Sequence, residues 1–407
     1  CDEDIVIQSQ RLDIYKKYAE ELLEKKFAYK CFCSPARLDE MRKSQIEKKQ
    51  PPKYDGTCKG LSDDETEKLA KEKPYTVRMV IPQEEIKFND IIRGEIKFHG
   101  CLIDDQVILK SDGYPTYHMA NVVDDHLMGI THVIRGEEWL SSTPKHIVLY
   151  RYFGWVPPQF AHLPLLLNSD KSKLSKRQGD VSVEDYIEKG YLQDALLNYI
   201  VLLGWSTEDS QQIFTRDELI GKFTLERCGK AGAIFDIQKL LWMNGEYIRK
   251  MSVEELTCRA MPFLQKAGFK TVDSEFLKKC ISLEHDKIKL LSDIPHLIDF
   301  FLKDDIIYDD KDVDKVLNKI GVDKILMDIA DIYSRIENFT AKNVEDATRK
   351  YAEAKMLKAS NVFHPVRVAV SGRAEGPSLF EMMELLGKER VVSRIKSRKW
   401  AAERQMG

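Results

Sequence analysis

The chain has 407 residues, 43% of them hydrophobic and 32% charged, with a formal net charge of −3. That length accommodates roughly two to four domains, and the near-balanced charge excludes a globally basic nucleic-acid binder, so any RNA contact must come from local patches. No run of about eighteen apolar residues is present, which excludes a membrane-spanning helix, and no signal or transit segment is visible.

Arg11 to Lys26 places Tyr15, Tyr18, Ala19, Leu22 and Leu23 on one face at helical spacing. Phe27 to Cys33 alternates like a short strand, and Ser34-Pro35 is a helix start, a cap followed by proline in the first turn. A charged helix to about Lys49 ends in the turn Pro51–Gly56. Ser62 caps a helix to Lys73, and 75–81, 85–88, 94–98 and 106–109 read as strands. The eight cysteines are scattered without a signal peptide, so reduced thiols are the default. Cys31, Cys33 and Cys58 can converge, because residues i and i+2 of a strand share a side. A structural zinc needs four ligands, and no nearby histidine completes the set. The group is either three reduced structural cysteines or a metal site with Tyr54 as its fourth member.

Tyr117 and Asn121 are four apart and share one face of a predicted helix, followed by Asp124 and Asp125. The acids are a weak candidate for magnesium, since paired acids on a helix are usually solvated or capping. Ile130 to Ile134 reads as a buried strand with Arg135 and Trp139 at its carboxyl end, the edge where open α/β sheets bind ligands. Arg135 can fork onto a carboxylate or pair with Glu137 or Glu138; Tyr117 and Trp139 can equally be core. Pro144 to Trp155 is a helix closed by Gly154. The apolar run Leu163, Leu165, Leu166 and Leu167 then ends a strand and leads into a loop in which Lys171, Lys173, Lys176 and Arg177 are basic. Lysines there act as point charges on a polyphosphate. His162 reads as structural. Ser182, with Asp185 three residues on, caps the next helix.

From Val183 the pattern is almost wholly helical. Helices start near Thr215, Asp236, Ser252, Asp323 and Thr340, and a loop at 371–377 precedes a helix over 379–386. Arg367 to Val370 is a short apolar run. Lys388 to Arg404 holds seven basic and two acidic residues, which suits either an exposed amphipathic helix or an RNA-contacting one.

The stretch 112–139 together with KLSKR at 173–177 resembles the glutamyl-tRNA synthetases of the bacterial and organellar type, a class I aminoacyl-tRNA synthetase family. KLSKR is a form of that family's second ATP-binding signature. The resemblance implies an α/β Rossmann-type catalytic core, incomplete at its N-terminus, with an α+β insertion and an all-α C-terminal anticodon-binding region. It implies core segments at 1–29 and 117–170, an insertion at 30–116, a signature loop and stem-contact module at 171–250, and anticodon-binding subdomains at 251–320 and 321–407. The implied reaction is ATP-dependent formation of glutamyl-adenylate and transfer of glutamate to tRNA(Glu). Lys173 and Lys176 are the implied catalytic cations. Leu166, Lys173, Leu174, Ser175, Lys176 and Arg177 are the implied ATP-binding residues, and Tyr117, Asn121, Arg135 and Trp139 the glutamate-binding ones. ATP is expected with Mg2+. Some family members carry zinc at a CxC…YxxxC pattern, which Cys31, Cys33, Tyr54 and Cys58 match, so a structural Zn2+ is expected there. A monomer in the bacterial cytoplasm, or in an organelle, is implied.

One departure stands out. The HIGH-type motif of class I synthetases is absent from this sequence, and the chain starts with Cys1. The first βα units, roughly 60–80 residues, are therefore expected to precede it, leaving this polypeptide inactive in glutamate activation by itself. The alternatives are a non-catalytic, zinc-stabilised tRNA-binding module and an adenylating enzyme with another acceptor. The helical C-terminal third disfavours the latter.

Overall fold

In the computed structural model, which describes residues 5–174, 182–269 and 273–402, the first helix forms where the apolar spacing calls for it. Helix α1 (Leu12–Glu24) buries Tyr15, Ala19 and Leu22. Strand β1 (Ala28–Cys31) follows, then α2 (Pro35–Glu47) and α3 (Asp63–Glu72). Ser34 accepts the Arg37 N–H at the start of α2, and Ser62 and Glu65 form a capping box on α3. Strands β2 (Thr76–Met79), β3 (Glu85–Asp90), β4 (Gly94–His99) and β5 (Val107–Leu109) come next. They are followed by α4 (Tyr117–Leu127), β6 (His132–Gly136), α5 (Thr143–Phe153), β7 (Gln159–Leu163) and the short β8 (Leu166–Leu167).

These strands make two separate sheets. An antiparallel one has the order β1-β2-β5; the other has the order β4-β3-β7-β6, with β3, β7 and β6 parallel. Helices α1, α4 and α5 supply Leu22, Met119, Val122, Val123, Val148 and Leu149, all fully buried, to the core of this region. A third, two-stranded parallel sheet joins β8 to β9 (Ala233–Ile234).

Several expectations need correction. Strands β3 and β4, grouped from the sequence with the 30–116 insertion, hydrogen-bond into the sheet that carries β6 and β7. The strand over Ile130–Ile134 is not buried: among the described residues β6 is the outermost strand of its sheet, and Ile130 and Ile134 are 40% and 51% exposed. Residues 202–211 and 220–235, assigned from the sequence to the 171–250 module, pack with residues 1–174 as one compact unit. Helix 322–334 is capped at Gly321, leaving Asp323 inside its first turn, and Arg367–Val370 lies within a helix over 360–371.

Of the described residues, the second unit holds 182–201, 212–219, 236–269 and 273–402, and its regular elements are all helices. Helix 183–188 begins with the Ser182–Asp185 capping box, and Asp236 caps 237–249. Gly190 has φ +91°, and a Cβ there would sit 2.5 Å from the Ser292 nitrogen, so only glycine fits this turn. Beside it, Asn244 accepts the Leu192 N–H at 2.8 Å and donates to the Lys289 carbonyl at 2.5 Å. The basic helix 388–397 buries Val391 and Ile395 against the core. Its Arg394 is also buried and donates to the carbonyls of Phe300, Lys303 and Val370. That side chain is a packing element, not an RNA contact.

Candidate active site and thiol cluster

Parallel pairing of β6 with β7 sets Arg135 directly opposite His162, so both side chains leave the same face of the sheet. Asp90, the last residue of β3, reaches the same place: its Oδ2 lies 2.6 Å from His162 Nδ1. Thr143 and His146 open α5, three residues apart on one face, and α4 presents His118.

The hydrogens in this group follow from what each atom can give. Asp90 accepts the backbone N–H groups of Ile92 (3.0 Å) and Arg93 (2.9 Å) at Oδ1, and that of His162 (3.1 Å) at Oδ2. As an acceptor it requires the hydrogen of the fourth contact to come from His162 Nδ1. Burial lowers the His162 pKa, with Arg135 and Arg93 adding to that against the pull of Asp90. The ring is therefore neutral, and its bare Nε2 accepts from Arg135 Nε at 3.3 Å. Thr143 Oγ1 accepts from Arg135 Nη2 (2.9 Å), and its one hydrogen is shared between the Trp139 carbonyl (3.2 Å) and the bare His162 Nε2 (3.1 Å). Nη2 also meets His146 Nδ1 at 3.4 Å. Arginine only donates, so His146 carries its hydrogen on Nε2 and gives it to His118 Nδ1, 3.0 Å away. Burial pushes the His146 pKa well down and takes that of His118 to about 4, with neighbouring cations adding in each case.

Arg135 is thus held entirely by neutral partners. Glu137 pairs with Arg93 and Glu138 with Lys173 (3.0 Å), so neither acid next to Arg135 in sequence neutralises it. Among the described residues no carboxylate lies within ion-pair distance of Arg135, and its Nη1 is buried without a hydrogen-bond partner. A buried guanidinium N–H left without a partner is costly, and a partly buried cation without a counter-charge is suited to take an anion.

The side chains around it have the expected types. Tyr117 and Trp139 lie with ring centroids 4.7 Å apart, both partly exposed, and the guanidinium sits 5.8 Å from the Trp139 ring. Neither aromatic is core. Asn121 donates to Asp125 at 3.0 Å, leaving its amide oxygen for another partner. Burial, with Asp124 adding, pushes the Asp125 carboxyl up to about 6. Asp124 itself is consumed by Tyr15 (2.8 Å), Gln8 (2.8 Å) and an ion pair with Arg11 (3.1 Å), which excludes it from a magnesium pair.

The cationic loop begins close by. Lys173 reaches Glu138, two residues beyond the end of β6, and Gly136 leaves room for Glu138 to fold back: a Cβ there would lie 2.2 Å from its Oε2. Leu174 N–H donates to the Leu166 carbonyl at 2.9 Å, so these two positions bind each other. Ser175, Lys176 and Arg177 lie outside the described residues.

Cys31, Cys33, Tyr54 and Cys58 do converge. Their described sulfurs lie within 4.8 Å of one another, with Cys33 and Cys58 3.6 Å apart. Tyr54 Oη is 3.5 Å from Cys31 Sγ and 3.4 Å from Cys33 Sγ. A tetrahedral zinc with bonds of about 2.3 Å to sulfur and about 2.0 Å to oxygen separates its ligands by about 3.8 Å (S···S) and about 3.5 Å (S···O). The four atoms fit a zinc ion. Arg37 Nη1 lies 3.3 Å from Cys33 Sγ, the Arg78 guanidinium stands 4.2 Å over the Tyr54 ring, and the Cys58 N–H donates to Tyr54 Oη at 3.0 Å. Burial raises the Cys33 and Tyr54 pKa values, so both groups keep their hydrogens in the metal-free cluster.

Sequence reading missed Asp90, Thr143, His146 and His118, and took His162 as merely structural. Only His118 falls within the 112–139 stretch; what joins the group is the pairing of β7 with β3 and β6, and the start of α5.

Residues 1–242 match the family model for the catalytic domain of class I tRNA synthetases (E and Q), and residues 255–398 match that for an anticodon binding domain. The chain is 45% identical over 410 residues to a glutamate–tRNA ligase of Chloroherpeton thalassium, covering 96% of this chain and 81% of that protein. It is 44% identical over 396 residues to one of Clostridioides difficile, covering 96% and 80%. In structure it is similar to a glutamate tRNA ligase of Elizabethkingia meningosepticum solved with its amino acid: TM-score 0.87, 34% identity, covering 97% of this chain and 84% of that one.

Proposed function

The chain belongs to the glutamate–tRNA ligase family of class I synthetases, and from that premise we propose which of its residues carry the reaction. The activity is ATP-dependent attachment of glutamate to tRNA, with magnesium accompanying the nucleotide. No residue need act as a nucleophile. A glutamate carboxylate attacks the α-phosphate of ATP, and the acyl group then passes to the terminal ribose of tRNA. The protein's part is positioning and charge.

Arg135 binds a carboxylate of glutamate, Trp139 and Tyr117 wall the pocket, and Asn121, its NH2 tied to Asp125, offers its oxygen to the substrate. Lys173 and Lys176 neutralise charge building on the phosphates, with Ser175 and Arg177 beside them. Leu166 and Leu174 face the adenine. Lys173 gives up only an exposed pair with Glu138 to reach ATP, worth about 0–1 kcal/mol. Residues 251–320 and 321–407 are the anticodon-binding subdomains, 171–250 contributes the stem-contact helices, and the chain works as a monomer.

Cys31, Cys33, Tyr54 and Cys58 hold a zinc ion whose chemistry is structural, tying β1 to the turn before α3. Three thiolates and a phenolate around Zn2+ leave a charge of −2, which the guanidiniums of Arg37 and Arg78 balance.

One observation carries the assignment of the pocket: Arg135 has no carboxylate partner among the described residues. The test is ATP–pyrophosphate exchange in the presence of tRNA, run on the full-length protein. Arg135→Leu should raise KM for glutamate about a hundredfold, the loss of one charged hydrogen-bonded pair, and leave KM for ATP nearly unchanged. An unaltered glutamate KM removes Arg135 from the pocket.

A further inference from the structure

This inference rests on the reading of Arg135 as the residue that takes the substrate carboxylate. A guanidinium binds a carboxylate bidentately only when its fork is aimed. Among the described residues Arg135 has no ion pair to aim it, so neutral contacts do so. We propose that Asp90 and His162, on two other strands, are positioning residues for Arg135 and so govern glutamate affinity without touching glutamate.

Asp90 acts in two ways. Its Oδ2 takes the Nδ1 hydrogen of His162, which leaves the lone pair of Nε2 as an acceptor for Arg135 Nε (3.3 Å) and the Thr143 hydroxyl (3.1 Å). With the opposite tautomer, an N–H on Nε2 would go to Thr143 Oγ1, 3.1 Å away, and would face the N–H of Arg135 donor against donor, so Arg135 would lose this acceptor. Its Oδ1 also holds the backbone of Ile92 and Arg93. That fixes the Arg93 side chain on Glu137, whose other oxygen accepts the Leu165 N–H at 3.2 Å. Glu137 is thereby kept from Arg135. One carboxyl group thus supplies Arg135 with an acceptor behind it and removes a competing anion beside it.

The test is calorimetric titration of L-glutamate into the native protein and into Asp90→Asn, His162→Met and His162→Gln, with ATP titrated in parallel to report an intact site. Asp90→Asn and His162→Met should weaken glutamate about ten- to a hundredfold, the range for a hydrogen bond to a charged group, and His162→Gln, whose amide can donate to Asp90 and accept from Arg135, should stay within about threefold. ATP affinity should not change in any of them. Native glutamate affinity in His162→Met with ATP binding intact overturns the proposal. So does equal loss of both ligands in all three variants, the mark of simple damage to the fold. If the native protein itself binds no glutamate, the assignment of Arg135 fails first and takes this inference with it.

Discussion

Tyr54→Phe isolates one contact of the thiol cluster. The ring stays beneath Arg78 and only the oxygen 3.4–3.5 Å from two sulfurs is lost. Structural zinc sites bind with about 10–16 kcal/mol over four ligands, so one ligand is worth about 3 kcal/mol. Water can take the vacated position and returns part of that, leaving a loss of about 1.5–3 kcal/mol, or about ten- to a hundredfold in zinc affinity. The Cys58 N–H loses its acceptor with and without metal, so this cost largely cancels from the affinity. The assay is competition for zinc against a chromophoric chelator, with cobalt(II) substituted in parallel. Cobalt should keep its thiolate charge-transfer absorption in the variant and change its ligand-field bands. Equal zinc affinity and an identical cobalt spectrum would show that Tyr54 is not a ligand. Less than about a tenth of an equivalent of zinc in protein purified without chelator would remove the metal altogether.

Lys173→Ala should slow activation by about 2–4 kcal/mol of transition-state stabilisation with little change in melting temperature, since its partner Glu138 is exposed; a normal exchange rate contradicts its role. Asp125→Asn should stabilise the fold at neutral pH. The folded pKa of about 6 lies above the unfolded value, so the ionised acid costs stability that is fully present above pH 6 and vanishes below about pH 4, and after discount for partial exposure the gain is about 1–2 kcal/mol. Urea unfolding at pH 7.5 and pH 4 checks it: a gain at both values refutes the titration. Arg394→Met leaves three buried carbonyls short of a donor and should cost about 3 kcal/mol; unchanged urea unfolding together with weaker tRNA binding would instead mark Arg394 as an RNA contact.

Local signals survived the passage to three dimensions. The Ser34, Ser62, Ser182, Asp236 and Ser252 caps and the Tyr117–Asn121 spacing were all legible, because each depends on residues within one turn. What sequence hid was lateral. Ile130 to Ile134 is apolar enough for a central strand, yet β6 is the outermost strand that the described residues place in its sheet, which no local pattern reveals. Asp90 and His162 stand 72 residues apart, and no periodicity announces that β3 and β7 are neighbours. The same limit applied to Glu137 and Glu138. From sequence they were the natural partners of Arg135, and only the turn after β6 shows them drawn off to Arg93 and Lys173.

The imidazoles beneath Arg135 set how the protein meets acid. Burial holds His118 at a pKa of about 4 and lowers His146 and His162 as well. The three rings under the guanidinium are therefore uncharged at neutral pH. The unfolded chain does not shelter them: its histidines protonate from about pH 6.5 downward, so each step toward pH 4 favours it. Neutrality in the folded protein and fragility in acid are two faces of the same three rings.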